Sequence, residues 1–402
     1  MLRKLEKFIN IGIGITIINN LYYFSGIFGL SSSIIIIICL LLSLLFFLLN
    51  FNKDQIVNFI NSWNTIFFVT TSIPLCFIDW FINGSVPIAN DLIRVLLYFF
   101  YFSWTFSINN KKPELNKWFI HISLLSIIIL TIQGLFENAN PLLFSIILSD
   151  NIEKRVLTRI AGTLIDSNSY SGAICIYFLI LSYELNLKNK GLQKVLLVII
   201  FLLALYLTDL AGSRQGLIML FSYVFYLLLK NITFFKTIII GVTVIVTLFS
   251  AVIFSDQLTN YARENPSSSI ARLLKSEENE RSLQSNLDRK HSLTDGLNLC
   301  VDNYFIYGPG ALNFSSRWIS FTNAHEPHNG LLFILVQYGI LSIIPFYLLF
   351  LLAKRAFKNH LLIFFLIFLI HYLLQPNLMY YAITFLFMFY IDTKHYFNRN
   401  SI

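Results

Sequence analysis

Charge is scarce in this sequence. Asp, Glu, Lys and Arg make up 12% of the 402 residues, against 56% hydrophobic residues and a mean hydropathy of +0.69. A soluble domain carries about 25% charged residues, so the composition excludes one and points to a polytopic membrane protein. Cysteine is scarce too. Of Cys39, Cys76, Cys175 and Cys300, three fall inside apolar runs, and neither a disulfide framework nor a cysteine-based metal site follows from them. The first apolar stretch lacks a small-residue cleavage site and runs on into further apolar segments, so it is expected to be a membrane helix and not a cleaved signal. There is no internal repeat, no heptad pattern and no low-complexity linker.

Spanning helices need about 20 mostly apolar residues. The hydropathy pattern predicts twelve, near residues 8–25, 28–51, 65–82, 92–108, 118–136, 169–187, 195–211, 215–230, 237–254, 329–353, 360–375 and 377–391. This all-α chain then divides into residues 1–254, with nine spans and an outer loop at 137–168; 255–328, a large polar loop; and 329–402, with three spans and a tail. The net charge of +8 is read as an excess of basic residues in cytoplasmic loops, not as nucleic-acid binding. With the N-terminus inside, 17 of the 29 basic residues fall on cytoplasmic segments. Arg94, Lys154, Arg155, Arg159 and Arg214 are the five left in the short outer loops and turns. The remaining basic residues sit in the long loop, where length makes them weak topology signals. Both termini are therefore expected in the cytoplasm.

The chemistry-bearing stretches gather on the outer face. Ala324-His325-Glu326-Pro327-His328-Asn329-Gly330 stands where the long loop ends and an apolar run to Ala353 begins. Pro327 and the lack of nearby ligands argue against zinc at the His-x-x-His. An imidazole at a helix mouth suits a general base, and a helix cap shared with Asn329 is the structural alternative. Gly212-Ser213-Arg214-Gln215-Gly216 is a tight turn between two apolar helices. Its arginine either snorkels to lipid phosphate or pairs with Asp209, or it grips a phosphate group with its planar fork. Arg289 lies on an expected amphipathic helix near 284–302, with Leu287, Leu293, Leu297 and Val301 as apolar positions. As a lone arginine there it reads either as a solvated face residue or as a functional one. Asp79, Asp91, Arg94, Asp209 and His371 fall toward outer helix ends, which argues against an ion path across the midplane. His121, near an inner end, reads as structural.

These residues resemble a known family. His328-Asn329, nine further residues and then Gly339 resemble the C-terminal signature of the O-antigen ligase and Wzy-type O-antigen polymerase superfamily. Ser342 stands where the ligase form of that signature has Gly, Thr or Tyr. Gly-Ser-Arg at 212–214 resembles the family's short outer loop with an essential arginine. Arg289 with Gly296-Leu297, followed by Tyr307-Gly308-Pro309-Gly310, resembles its arginine-led helix and Gly-x-Gly. Arg159 through Asn168 resembles its outer segment ahead of a middle helix. The likeness covers roughly residues 155–350.

The resemblance implies a GT-C type, metal-independent, inverting glycosyltransferase without a cofactor, in the bacterial inner membrane with its active site facing the periplasm. Its donor would be a glycan on undecaprenyl diphosphate. Arg214 and Arg289 would neutralise the diphosphate leaving group, and His328 would take the acceptor hydroxyl's proton. Arg159, Asn168, His325 and Asn329 would contact sugar or phosphate. A polymerase would extend another lipid-linked repeat unit, whereas a ligase would load lipid A-core; Ser342 favours the polymerase. A chain-length regulator is a candidate partner. A lipid-linked oligosaccharide transporter is the alternative of another class. The absence of repeat symmetry between halves and of midplane charge counts against it.

Overall fold

The computed structural model describes residues 2–28, 30–51, 89–148, 159–164, 166–186, 191–229, 330–374 and 382–399, and in the long loop residues 264, 294, 295, 297, 298 and 301. Among these residues the chain is all-helical. The longer helices are α1 (Leu2–Ile18), α2 (Ser32–Leu49), α3 (Ala89–Ile108), α4 (Lys112–Ala139), the short α5 (Pro141–Ile147), α6 (Ser167–Asn186), α7 (Gly191–Leu210), α8 (Arg214–Leu229), α9 (Gly330–Tyr338), α10 (Ile343–Lys358), α11 (Leu362–Leu374) and α12 (Ala382–Arg399). Four described segments are long and apolar enough to cross a membrane: Ser32–Leu49, Lys112–Ala139, Gly191–Leu210 and Gly339–Lys358. Several apolar helices could therefore span a bilayer, and the chain is a helical protein of membrane type. The expected spans 65–82 and 237–254 lie outside the described residues.

Burial separates two kinds of helix. α6 is buried on every side from Ser169 to Ser182, and α12 from Ala382 to Lys394. An all-round apolar helix is one that sits inside a bundle. On α2, by contrast, Ile34, Ile37, Ile38, Leu41, Leu45 and Leu48 are exposed, and on α7 Leu192, Val195, Val198, Ile199 and Leu202. That three-and-four spacing draws an apolar stripe facing away from the bundle. Stripes of this size in contact with water would be an aggregation hazard, whereas against lipid tails they cost nothing.

Polar side chains join helices at the two ends and in the middle of the bundle. At the end expected in the cytoplasm, Lys7 meets Glu114 at 2.5 Å, Trp104 Nε1 donates to Glu6 at 3.1 Å, and Lys112 donates to Asn398 at 2.7 Å. Lys394 pairs with Glu184, and Arg355 with Asp392. These contacts bring together the starts of α1 and α4 and the ends of α3, α6, α10 and α12, as alternating helices require. Midway, Asn19 bonds Ser126 at 2.8 Å and accepts from the Tyr177 hydroxyl at 2.9 Å.

Three departures from the hydropathy reading have a local cause. The run 8–25 is not one helix. α1 starts at Leu2 and stops at Ile18, Asn20 takes φ 53°, and Leu21–Phe28 is a tight 3-10 segment. The run 329–353 is broken between α9 and α10 by a 3-10 turn, Gly339–Ser342, that Gly339 enters at φ 56°. This is a conformation glycine adopts without steric cost. It accounts for a glycine at that place in the His-Asn-x9-Gly stretch. α12 runs on to Arg399, past the apolar limit at 391. Its polar end is held by Arg355–Asp392, by Lys394–Glu184, and by Asn398 donating to Asn359 at 2.9 Å. Hydropathy cannot register such ties.

Candidate functional site

The turn 212–214 connects α7 to α8, and each of its three residues has a separate local task. Gly212 takes φ 58°. Its N–H reaches the Asp209 carbonyl at 2.8 Å while the Ser213 N–H reaches that of Thr208 at 3.3 Å. This is the Schellman ending of a helix, which needs a left-handed residue and so a glycine. Ser213 caps the next helix, because its Oγ accepts from the Gly216 N–H at 3.3 Å, the N-cap to N3 bond that serines supply. Arg214 is then the first residue of α8.

Arg159 holds this turn from outside. Its Nε donates to the Ala211 carbonyl at 2.8 Å and its Nη2 to the Gly212 carbonyl at 3.1 Å. These are carbonyls that the end of α7 leaves without helical partners. A cation there also complements the negative end of the helix dipole. The backbone after Arg159 is anchored in turn by α4. The Glu137 carboxylate accepts from the Ala161 and Gly162 N–H groups at 2.9 and 2.7 Å, and Gln133 Oε1 accepts from the Thr163 N–H at 3.2 Å. The Thr163 hydroxyl donates to the Asn19 carbonyl at 2.5 Å.

Asn168 closes the frame. Its Oδ1 accepts from the Ser213 hydroxyl at 3.1 Å. Asp166, two residues earlier, caps α6 by accepting the Ser169 N–H at 2.8 Å. The structure therefore brings Arg159, Asn168 and the turn that carries Arg214 together, and all three residues are half-buried. They play different parts. Arg159 commits two of its donors to backbone, and Asn168 commits its carbonyl oxygen to the turn's serine. Arg214 has no hydrogen-bond or ion-pair partner among the described residues, Asp209 included.

That placement is electrostatically costly. Arg214 stands at a helix start, where the dipole disfavours a cation by about 0.3–1 kcal/mol. A phosphate there would instead meet a planar five-donor fork and the positive end of α8 together. The arrangement can hold an anion, and a framework of backbone hydrogen bonds sets its position.

Glu137 and Gln133 belong to this framework although the sequence reading did not single them out. Glu137 carries a visible signal: it is a carboxylate at the outer end of an otherwise apolar run, a position that calls for a named partner. Gln133 carries none. His325, His328, Asn329 and Arg289 lie outside the described residues. Of the expected amphipathic helix, Thr294, Asp295, Leu297, Asn298 and Val301 are helical. Among the described residues no three His, Cys, Asp or Glu side chains form a cluster able to hold a metal ion. Compared with known protein families, with characterised proteins and with solved structures, the chain matches none.

Proposed function

We propose that the chain is an integral-membrane polysaccharide polymerase that moves a glycan from undecaprenyl diphosphate to the terminal sugar of another lipid-linked repeat unit. In this reading it has twelve spans and the GT-C architecture. It lies in the bacterial inner membrane with both termini in the cytoplasm, and works at the periplasmic face. The observation that carries the reading is Arg214: a half-buried guanidinium at a helix start with no partner among the described residues, on a turn held by Arg159 through two carbonyls and by the Ser213–Asn168 bond. A cation kept open at such cost suits an anionic ligand. At this end of the bundle a lipid-linked diphosphate is the anion that also brings a sugar.

The reaction balances simply. The acceptor hydroxyl attacks the anomeric carbon of the donor sugar from the face opposite the diphosphate. The carbon–oxygen bond to phosphate breaks with inversion, and undecaprenyl diphosphate leaves. Arg214, joined by Arg289 as the resemblance implies, neutralises the charge that grows on the leaving oxygen; electrostatic help of this kind is often the largest catalytic term. His328 takes the hydroxyl proton. Arg159 also holds the turn, and Arg159, Asn168, His325 and Asn329 contact sugar or phosphate as the resemblance implies.

A lipopolysaccharide gel from a strain deleted for the gene tests the reading. Core bearing a single repeat unit is the expected result, since ligation would continue while extension failed. Bare core with polymer left on the lipid carrier would instead identify a ligase, which uses the same donor grip. An unchanged ladder would overturn both.

A further inference from the structure

One residue past Arg214, three helices meet around a polar pair that the site has not used. Gln215 of α8 is buried at 5% exposure, and its amide nitrogen lies against Nδ1 of His371 on α11, a side chain with no exposure at all. The same amide reaches the His371 carbonyl at 3.3 Å. An amide nitrogen donates, so Nδ1 accepts and the ring proton sits on Nε2. Among the described residues that Nε2 and Gln215 Oε1 have no hydrogen-bond partner.

Room for the ring comes from α6. A Cβ at Gly172 would stand 2.5 Å from His371 Nδ1 and 2.8 Å from Nε2. The neighbouring crossing is as close, because a Cβ at Gly216 would stand 2.8 Å from Ser171 Cβ. Two apolar side chains of equal volume would pack here with no unmatched donor or acceptor, at lower cost. Burying this pair is therefore a local loss, and losses of this kind are expected where a site is being set.

We infer that Gln215 and His371 are a positioning pair for Arg214. Their hydrogen bond ties the first turn of α8 to α11, 156 residues away in sequence, and so sets the rotation of α8 that aims the guanidinium. Arg159 and Asn168 hold the turn from the α6 side, and His371 holds it from the opposite half of the chain. Neither member of the pair touches the anion. The inference rests on the reading of Arg214 as the diphosphate contact.

Full-length protein in lipid nanodiscs, titrated with undecaprenyl diphosphate, tests it. Gln215→Met and His371→Leu should reach the membrane in wild-type amounts and bind about tenfold more weakly, the scale of one hydrogen bond to a charged group. His371→Gln restores an acceptor for the Gln215 amide and should recover most of the affinity. In an Arg214→Ala background, Gln215→Met should weaken binding no further, because the pair acts only through that arginine. If His371→Leu fails to accumulate, the comparison of Gln215→Met with His371→Gln carries the test. Wild-type affinity in Gln215→Met beside a loss in Arg214→Ala would overturn the positioning role and leave the diphosphate reading intact. Additive losses in the double variant would overturn it too. Binding unaffected by Arg214→Ala would overturn the reading itself, and the inference with it.

Discussion

Among the described residues, the two ends of the bundle treat buried and half-buried charge in opposite ways. At the end expected in the cytoplasm, Glu114, Glu184 and Asp392 each face a cation of the chain itself, namely Lys7, Lys394 and Arg355. Lys394 lies in addition over the rings of Tyr183 and Tyr390, at 5.6 and 5.3 Å from their centroids, and donates to Asn116 at 2.8 Å. At the other end, Arg159 is turned onto backbone carbonyls and Arg214 has no partner among the described residues. Charge matched inside the chain holds helices together. Charge left open at a defined place is available to a ligand. The difference separates scaffold from candidate site before any reaction is named.

The sharpest way to break the comparison is at the scaffold end. Glu184 is buried and receives both the Lys394 ammonium and the Tyr390 hydroxyl, the latter at 2.9 Å. Glu184→Ala strands a buried cation and should cost about 3–5 kcal/mol, read as loss of protein from the membrane fraction and a lower Tm. The pair change Glu184→Met with Lys394→Met should recover much of that stability. If Glu184→Ala proved harmless, the scaffold reading of this end would fall.

Arg214→Ala should behave in the opposite way. Polymer formation should drop by about 10²–10³-fold, the effect of removing one transition-state charge contact, while the protein level and Tm stay near wild type. Assay of purified protein with lipid-linked donor, set beside a membrane immunoblot, checks both halves. The same assay applies to Arg289→Ala and His328→Ala, and wild-type activity in all three would sink the site assignment.

Two smaller changes sharpen the frame between these extremes. Gly212→Val forces a branched residue into φ 58° and should cost about 1–3 kcal/mol. Activity should fall with stability, because the strain displaces the turn that carries Arg214. Ser213→Ala removes the α8 cap and the bond to Asn168, for about 1 kcal/mol. Here the expected result is a Tm lower by a few degrees with a donor KM raised more than kcat is lowered. An unchanged KM would mean that the Ser213–Asn168 bond does not set the arginine.

Parts of this architecture were legible residue by residue. Gly-Ser-Arg could be read as a turn because each task is local: a left-handed ending, a cap and a helix start all lie within a few residues. The Gly339 break was less so. A glycine inside an apolar run is also tolerated in a continuous helix, and only the surrounding packing decides between the two. The Arg159 clamp could not be read at all, since Ala211 and Gly212 stand 52 and 53 residues further on and a backbone carbonyl has no residue-type signature. Arg159, expected in sequence as a contact for sugar or phosphate, also holds the turn beside Arg214.

What the sequence by itself determined is the class of solvent and the places where the chain turns. Apolar content and helix-length runs are sums over neighbouring residues, as are the glycine and serine that end one helix and begin the next. What only the tertiary structure decided is which cations are matched and that the half-buried Arg214 has no partner among the described residues. Lys394 finds Glu184 from 210 residues away, and Gln215 finds His371 across 156. Such partners are chosen by helix packing and by the glycines that let helices approach. Their energies depend on burial, which no stretch of sequence states alone.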